Sequence, residues 1–286
     1  MRAIIPILLV LACSGGQTGD TPTATRTTIT IASWNIQVFG PAKLADPARM
    51  DIIVKTLKRY DITAIQEVRE AGQTLAPTLI GLMNADGSNY NYVISNRLGH
   101  STQKEQYLYV YDDSVIDHVA GREGYGFEPN DEYSREPFYA MFKAGNFDFY
   151  LMAIHTSPSN LNVSIPALDT TYEHLQYGTS GQENDIIFLG DFNAKSPSST
   201  VTSTAVMTDL ATVPNIVFLF DEATNTNGDR AYDNIVFQSN YTTEYTGEHG
   251  TFDFWTPEGL PEDVGDNISD HMPIWAMFNT SGEDDD

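Results

Sequence analysis

Short apolar runs of strand length recur from Ile29 to Phe278, and most of them end beside a polar side chain capable of chemistry. In the first run Ile29, Ile31 and Ser33 alternate with Thr30, Ala32 and Trp34, the two-residue period of a strand. Residues 62–65, 107–111, 138–142, 147–154, 185–189, 216–220, 234–237 and 272–278 read as further strands. Helical character is confined to a few stretches. Asp46-Pro47 pairs an N-cap with Pro at the first helical position, and Met50, Ile53, Val54 and Leu57 follow at helical spacing. Residues 75–84 and 166–177 are the other expected helices. Many strands with a few interspersed helices predict an α/β sandwich, two sheets packed together with helices outside. No internal repeat and no second linker is visible, so residues 28–279 are expected to form one domain.

The two ends read differently. Arg2 is followed by an apolar run through Ile4, Ile5, Ile7, Leu8, Leu9, Val10 and Leu11, which is too short to span a bilayer but has the layout of a secretory signal. It closes on Val10-Leu11-Ala12-Cys13, which resembles the bacterial lipobox. That resemblance implies a signal peptide over residues 1–12 and a lipidated Cys13 as the mature first residue. An ordinary signal peptide with a chance cysteine is the competing reading. Cys13 is the only cysteine, so no intrachain disulfide is possible. Ser14 carries no inner-membrane retention aspartate, which favours the outer membrane or cell surface, with extracellular release a further option. Residues 13–27 read as a flexible Ser-, Gly- and Thr-rich tether, and residues 280–286 as an acidic disordered tail.

Charge narrows the function. The chain has 39 Asp and Glu against 15 Lys and Arg, a formal net charge of −24. Phosphate neutralisation supplies nonspecific affinity for nucleic acid, so this balance argues against a broad basic binding face, and solubility or adaptation to a salty medium accounts equally for the charge. A nucleic-acid enzyme of this charge needs a divalent cation and a few well-placed cationic side chains.

The polar residues at the ends of the runs supply such chemistry. Asn35 and Glu67 follow the first two strands, and His155 ends the run 147–154. Asp191 and Asn193 follow 185–189, Asp233 precedes 234–237, and Asp270 and His271 precede the last strand. Each alone is an ordinary cap or turn residue. Together they are what phosphodiester hydrolysis requires: carboxylates to hold a hard cation such as Mg²⁺, a cation to offset developing charge on phosphate, and two His oriented by carboxylates to move protons.

The order of these segments resembles the endonuclease/exonuclease/phosphatase superfamily, and specifically its deoxyribonuclease I branch. The resemblance is carried by Trp34-Asn35-Ile36-Gln37-Val38-Phe39-Gly40, by Ile65-Gln66-Glu67-Val68-Arg69, by Lys104-Glu105-Gln106-Tyr107 and by Ser134-Arg135-Glu136-Pro137. His155-Thr156-Ser157-Pro158, Gly190-Asp191-Phe192-Asn193-Ala194, Ala231-Tyr232-Asp233 and Ser269-Asp270-His271 continue it. It implies a four-layer α/β/β/α sandwich of two mainly antiparallel sheets. It also implies a DNA endonuclease leaving 5′-phosphate ends on double-stranded DNA, monomeric and dependent on Mg²⁺ or Mn²⁺. Glu67 would be the main metal ligand, with Asn35, Asp191 and Asp270 nearby. His155 would pair with Glu105 and His271 with Asp233, the acid and base roles left open, and Asn193 would bond the phosphate. Arg69 and Arg135 would contact DNA. Structural Ca²⁺ is implied at Glu222, Thr224 and Thr226, and at Asp131 and Glu136, each of which also reads as an ordinary polar loop.

The chain departs from that branch in places. Ser196 and Arg230 stand where a cysteine pair is expected, and Gln37, His100, Gln103 and Gln106 occupy positions the branch fills with basic or stacking residues. An intact catalytic set with a thinned DNA-binding set predicts a weak grip on duplex DNA and strong dependence on salt and divalent metal. Two other functions stay open: a superfamily phosphodiesterase for lipid or inositol phosphates, and a surface lipoprotein that binds a partner without catalysis.

Overall fold

The structure is a computed structural model that describes residues 26–100, 102, 104–178, 183–257, 259, 265 and 267–282. Cys13 with the whole N-terminal run, Gln103, and residues 283–286 of the acidic tail lie outside the described residues.

Among the described residues thirteen strands and five α-helices follow one another. They are β1 (Thr28–Phe39), α1 (Pro41–Leu44), α2 (Pro47–Leu57), β2 (Ile62–Val68), α3 (Leu75–Met83), β3 (Tyr90–Ile94), β4 (Gln106–Asp112), β5 (Asp117–His118) and β6 (Gly124–Tyr125). Then come β7 (Phe138–Ala144), β8 (Phe147–His155), α4 (Leu161–Ser164), α5 (Leu168–Gly178), β9 (Ile186–Asp191), β10 (Ile216–Phe218), β11 (Asp233–Gln238), β12 (Tyr245–Thr251) and β13 (Ile274–Asn279). One sheet runs β12-β13-β1-β2-β4-β3 and the other β10-β11-β9-β8-β7-β5, with β6 on β7. Among the described strands only β1 with β2 and β8 with β9 pair in parallel, so both sheets are mainly antiparallel.

The layers follow from side-chain alternation. On β4, Tyr107, Tyr109 and Tyr111 enter the inter-sheet core with Ile29, Ile31, Phe142, Phe149, Leu189 and Ile235. Leu108 and Val110 point the other way, against Ile53 and Leu57 of α2 and Leu79 and Met83 of α3. On β8, Tyr150, Met152 and Ile154 pack outward with Leu168, Tyr172 and Leu175 of α5. Two sheets face to face with helices outside are therefore the observed fold. α2 begins as expected: Asp46 accepts from the Ala48 and Arg49 amides at 3.1 and 3.2 Å, with Pro47 at the first position. Among the described residues no helix is long and apolar enough to cross a membrane.

Candidate active site

The alternation that builds the core also builds the site. Asn35 lies two residues beyond Ser33 and four beyond the core residue Ile31. Glu105 precedes Tyr107 by two, His155 follows Ala153 by two, Asp191 follows Leu189 by two, and Asp233 precedes Ile235 by two. Each belongs to the inward-facing set of its strand, so the rim of the inter-sheet core becomes polar where the strands end. His155 and Asp191 are register partners across the parallel β8–β9 pair, and Asp191 and Asp233 across β9–β11.

Glu67 breaks the parity, because on β2 the inward residues are Ile62, Ala64 and Gln66. Pairing of β2 with β4 shifts register between Ile65 and Val68, and pairing of β1 with β2 shifts between Asn35 and Phe39. Glu67 has φ +60 and Val38 φ +49, both left-handed. Such bulges re-aim side chains beside active sites. Here they bring the Glu67 carboxylate to the Val38 amide at 2.8 Å and the Asn35 amide nitrogen at 3.3 Å.

The cluster centres on Asp191. Its Oδ2 accepts from Asn35 Nδ2 at 3.0 Å, and the Nε2 atoms of His155 and His271 both lie 3.6 Å from the same oxygen. Each imidazole is oriented from behind, His155 Nδ1 to Glu105 Oε2 at 2.8 Å and His271 Nδ1 to Asp233 Oδ2 at 2.8 Å. Asp270 Oδ1 is 3.9 Å from His271 Nε2, and Glu67 Oε1 is 3.9 Å from His155 Nε2. Asn193, at φ +49, hangs beside them with its amide on Asp191 Oδ1 and its side chain on the Thr156 carbonyl.

Electrostatics reflect this crowding. Burial alone would lower the His271 pKa, but the carboxylates of Asp233, Asp191 and Asp270 outweigh it and raise it to about 10. Burial alone would raise that of Glu105, yet the hydrogen bond and charge of His155, with Arg135 and Arg69, bring it down to about 2.

Asp191, Asp233 and His271 place ligand atoms within 4.8 Å of one another, a buried group able to hold a metal ion. Asp233 is already committed, however, to His271 and to the Thr224 hydroxyl. The side facing Glu67 fits a hard cation better. There the carboxylates of Glu67 and Asp191 both accept from Asn35 Nδ2, and the Oδ1 of the same buried amide has no hydrogen-bond partner.

The arginines implied as DNA contacts face inward. Arg69 Nη2 lies 2.8 Å from Glu67 and 2.7 Å from Glu105, and Arg135 Nη1 lies 3.2 Å from Glu105. The calcium candidates are dispersed. Thr224 is fully buried; its hydroxyl donates to Asp233 at 2.7 Å and accepts from the Tyr232 and Asp233 amides. Thr226 is bonded through amide and hydroxyl to the Asp270 carbonyl, and Glu222 is exposed. Asp131 is exposed and lies 3.2 Å from His100. Burial and the neighbouring Glu136, Asp131 and Glu132 carboxylates push Glu128 up to about 6, so the turn around Asp131 and Glu136 gathers negative charge.

Other residues brace the site in ways the sequence reading assigned to none of them. Lys43 of α1 is buried and donates to the carbonyls of Gln37 and Ile268, joining the β1 bulge to the loop before Asp270. Trp34 Nε1 donates to the His271 carbonyl at 2.9 Å, and Ser269 Oγ to that of Asn35 at 2.5 Å. The Tyr107 hydroxyl, deep in the core, accepts from the His155 amide at 3.0 Å. Gln106, which stands at a basic position of the branch, is buried against Ser95 and Gln73 rather than turned to solvent.

The profile of the Endonuclease/Exonuclease/phosphatase family matches residues 32–271. Human deoxyribonuclease gamma is 30% identical over 268 residues, covering 88% of this chain and 86% of its own length. Bovine deoxyribonuclease-1 is 33% identical over 257 residues, covering 85% of this chain and 90% of its own. Among solved structures the human Nocturnin catalytic domain with bound sulfate superposes with a TM-score of 0.59 at 16% identity, covering 88% of this chain and 94% of that one, a likeness of fold. By profile, by relatives and by the sandwich itself, the chain belongs to the endonuclease/exonuclease/phosphatase family.

Proposed function

We propose that the protein is a divalent-metal-dependent endonuclease that hydrolyses phosphodiester bonds of DNA and leaves 5′-phosphate ends. One observation carries this reading: two imidazoles, each held at Nδ1 by its own carboxylate, present Nε2 to a common point at 3.6 Å from Asp191. Hydrolysis of a phosphodiester needs one group to take a proton from water and another to return one to the leaving oxygen. Two imidazoles facing one carboxylate oxygen supply both. Similarity to deoxyribonucleases supports DNA as the substrate.

Glu67 and Asn35 would hold the cation, with Asp191 and Asp270 beside them. When bound, a Mg²⁺ or Mn²⁺ ion supplies positive charge at the phosphate as negative charge develops there. Asn193 would donate its amide to a phosphate oxygen. Asp233 and Glu105 hold the imidazoles in the tautomer that exposes Nε2. Structural Ca²⁺ belongs to the proposal at the turn around Asp131 and Glu136, where four carboxylates gather. Export through the N-terminal run and anchoring at Cys13 belong to it as well, supported by the lipobox-like Val10-Leu11-Ala12-Cys13.

A cavity of about 430 Å³ is lined by Pro158, Leu161, Ile165, Ala205, Val206 and Asp209. None of the clustered catalytic side chains lines it. The test is nicking of supercoiled plasmid by residues 14–286 with Mg²⁺ and Ca²⁺, with EDTA as control. His155→Ala and His271→Ala are expected to lower the rate by at least about 100-fold, the scale of a positioned acid or base. Full activity in either variant, or nicking that survives EDTA, sinks the assignment. Absence of nicking with hydrolysis of lipid phosphodiesters would move the protein to the other branch of its family.

A further inference from the structure

We propose that Arg69 and Arg135 are positioning residues that lock Glu105, and through it the His155 imidazole, instead of serving chiefly to grip DNA. This rests on the nuclease reading above and assigns the two side chains a role within it.

The donor directions make the case. Arg135 is 14% exposed, and each arm of its guanidinium meets the protein. Nε donates to the His155 carbonyl at 3.1 Å, Nη2 to the Thr156 carbonyl at 3.0 Å and Nη1 to Glu105 Oε1 at 3.2 Å. It therefore holds the peptide that carries His155 and, at the same time, the carboxylate that orients that imidazole. The Thr156 carbonyl also receives the Asn193 side chain at 3.1 Å, so one guanidinium braces three members of the site. Arg69 completes the arrangement from the other side. Its Nη2 bridges Glu67 Oε2 and Glu105 Oε1 at 2.8 and 2.7 Å, tying the metal-side carboxylate to the histidine-side one.

Glu105 is thus divided. Oε1 is occupied by both guanidinium groups, and Oε2 is left to the His155 Nδ1 at 2.8 Å. A carboxylate free to rotate would let the imidazole swing and carry Nε2 away from Asp191. Turning either arginine outward to a phosphate would leave Glu105, whose side chain is 5% exposed, with part of its charge unpaired in a buried setting. Leaving a buried charge short of its partners is far more costly than the gain from one exposed phosphate contact. A rigid fork with donors in a plane suits this task, and a lysine does not.

The experiment compares supercoiled or duplex DNA with bis(p-nitrophenyl) phosphate, a diester with no flanking phosphates, in wild type, Arg135→Lys, Arg135→Met and Arg69→Gln. A positioning role predicts a loss in kcat on the order of 10- to 100-fold, of similar size on both substrates, with KM for DNA little changed. A raised KM for DNA with unchanged turnover of the small diester would overturn the proposal and return both residues to DNA contact. A second readout is independent of turnover. The downfield Nδ1 proton of His155, identified by its loss in His155→Ala, is expected to move or broaden in Arg135→Met and Arg135→Lys. An unmoved resonance in a folded variant also overturns the proposal. If wild type cleaves neither substrate, the nuclease reading fails, and the resonance still decides whether the arginines hold the dyad.

Discussion

At the scale of single residues, the site joins groups that titrate in opposite senses. The folded pKa of His271 is raised from its ordinary 6.5 to about 10, so its contribution to stability is fully present below 6.5 and is lost as pH rises through about 10. That of Glu105 is lowered from 4.5 to about 2, so its contribution is present above 4.5 and is lost as pH falls toward about 2. Together these groups stabilise the metal-free domain most between 4.5 and 6.5. Melting temperature measured against pH in EDTA should fall on both sides of that window. His271→Asn should flatten the alkaline limb and Glu105→Gln the acid limb. Limbs that persist unchanged in those variants would place the linkage elsewhere.

At the scale of elements, the site depends on departures from regular strand geometry. Glu67 reaches the cluster only because β1 and β2 are both bulged there. Gly190, one residue before Asp191, has φ +141, and a Cβ on it would lie 2.0 Å from the Ile154 carbonyl oxygen. No flexible side chain can yield there, since the clash is with backbone of the neighbouring strand. Gly190→Ala should therefore cost at least about 2 kcal/mol and force β8 and β9 apart. Since those strands carry His155 and Asp191 as register partners, activity should fall further than stability alone explains. Chemical denaturation and a rate at a temperature where the variant is still folded would separate the two effects. A variant of wild-type stability would contradict this account of the turn.

At the scale of the whole molecule, the net charge of −24 and the pairing of its cations decide how it meets a polyanion. Lys58 lies on Asp86, Lys143 on Asp148, and Lys195 on the carbonyls of Ser199 and Val201. Lys43, Arg69 and Arg135 are turned into the site. The thinned contact set in the sequence gives an expectation of strong salt dependence, whereas pairing of these cations within the protein argues for a shallower one. Salt weakens binding in proportion to the phosphates neutralised, about 0.9 in log–log slope for each on duplex DNA. With these six of the fifteen Lys and Arg side chains engaged within the protein, the slope for duplex binding by His155→Ala should be shallow, no steeper than about −3 between 50 and 200 mM salt. A slope steeper than about −5 would mean that these pairs open on DNA.

Much of this was legible in the chain itself. Period-two alternation in runs such as 107–111 and 147–154 marks strands, and the same count forward or back by two places Glu105, His155, Asp191 and Asp233 on inward faces. β3 and β12 were not legible, because they are edge strands with partly exposed side chains, held by backbone pairing that leaves little apolar pattern. The support of the site was hidden for a related reason. Lys43 and Ile268 are separated by 225 positions, and Trp34 and His271 by 237, so only chain closure across the sheet brings them together. Local pattern is enough to mark the apolar strands, their inward faces and the residue types that reach the rim, since alternation is a property of the extended chain itself. Tertiary structure alone decided the bulge that admits Glu67, the inward turn of Arg69 and Arg135, and the attachment of Thr224 to Asp233. Each of these depends on which distant backbone or carboxylate lies within reach, and local pattern does not encode that.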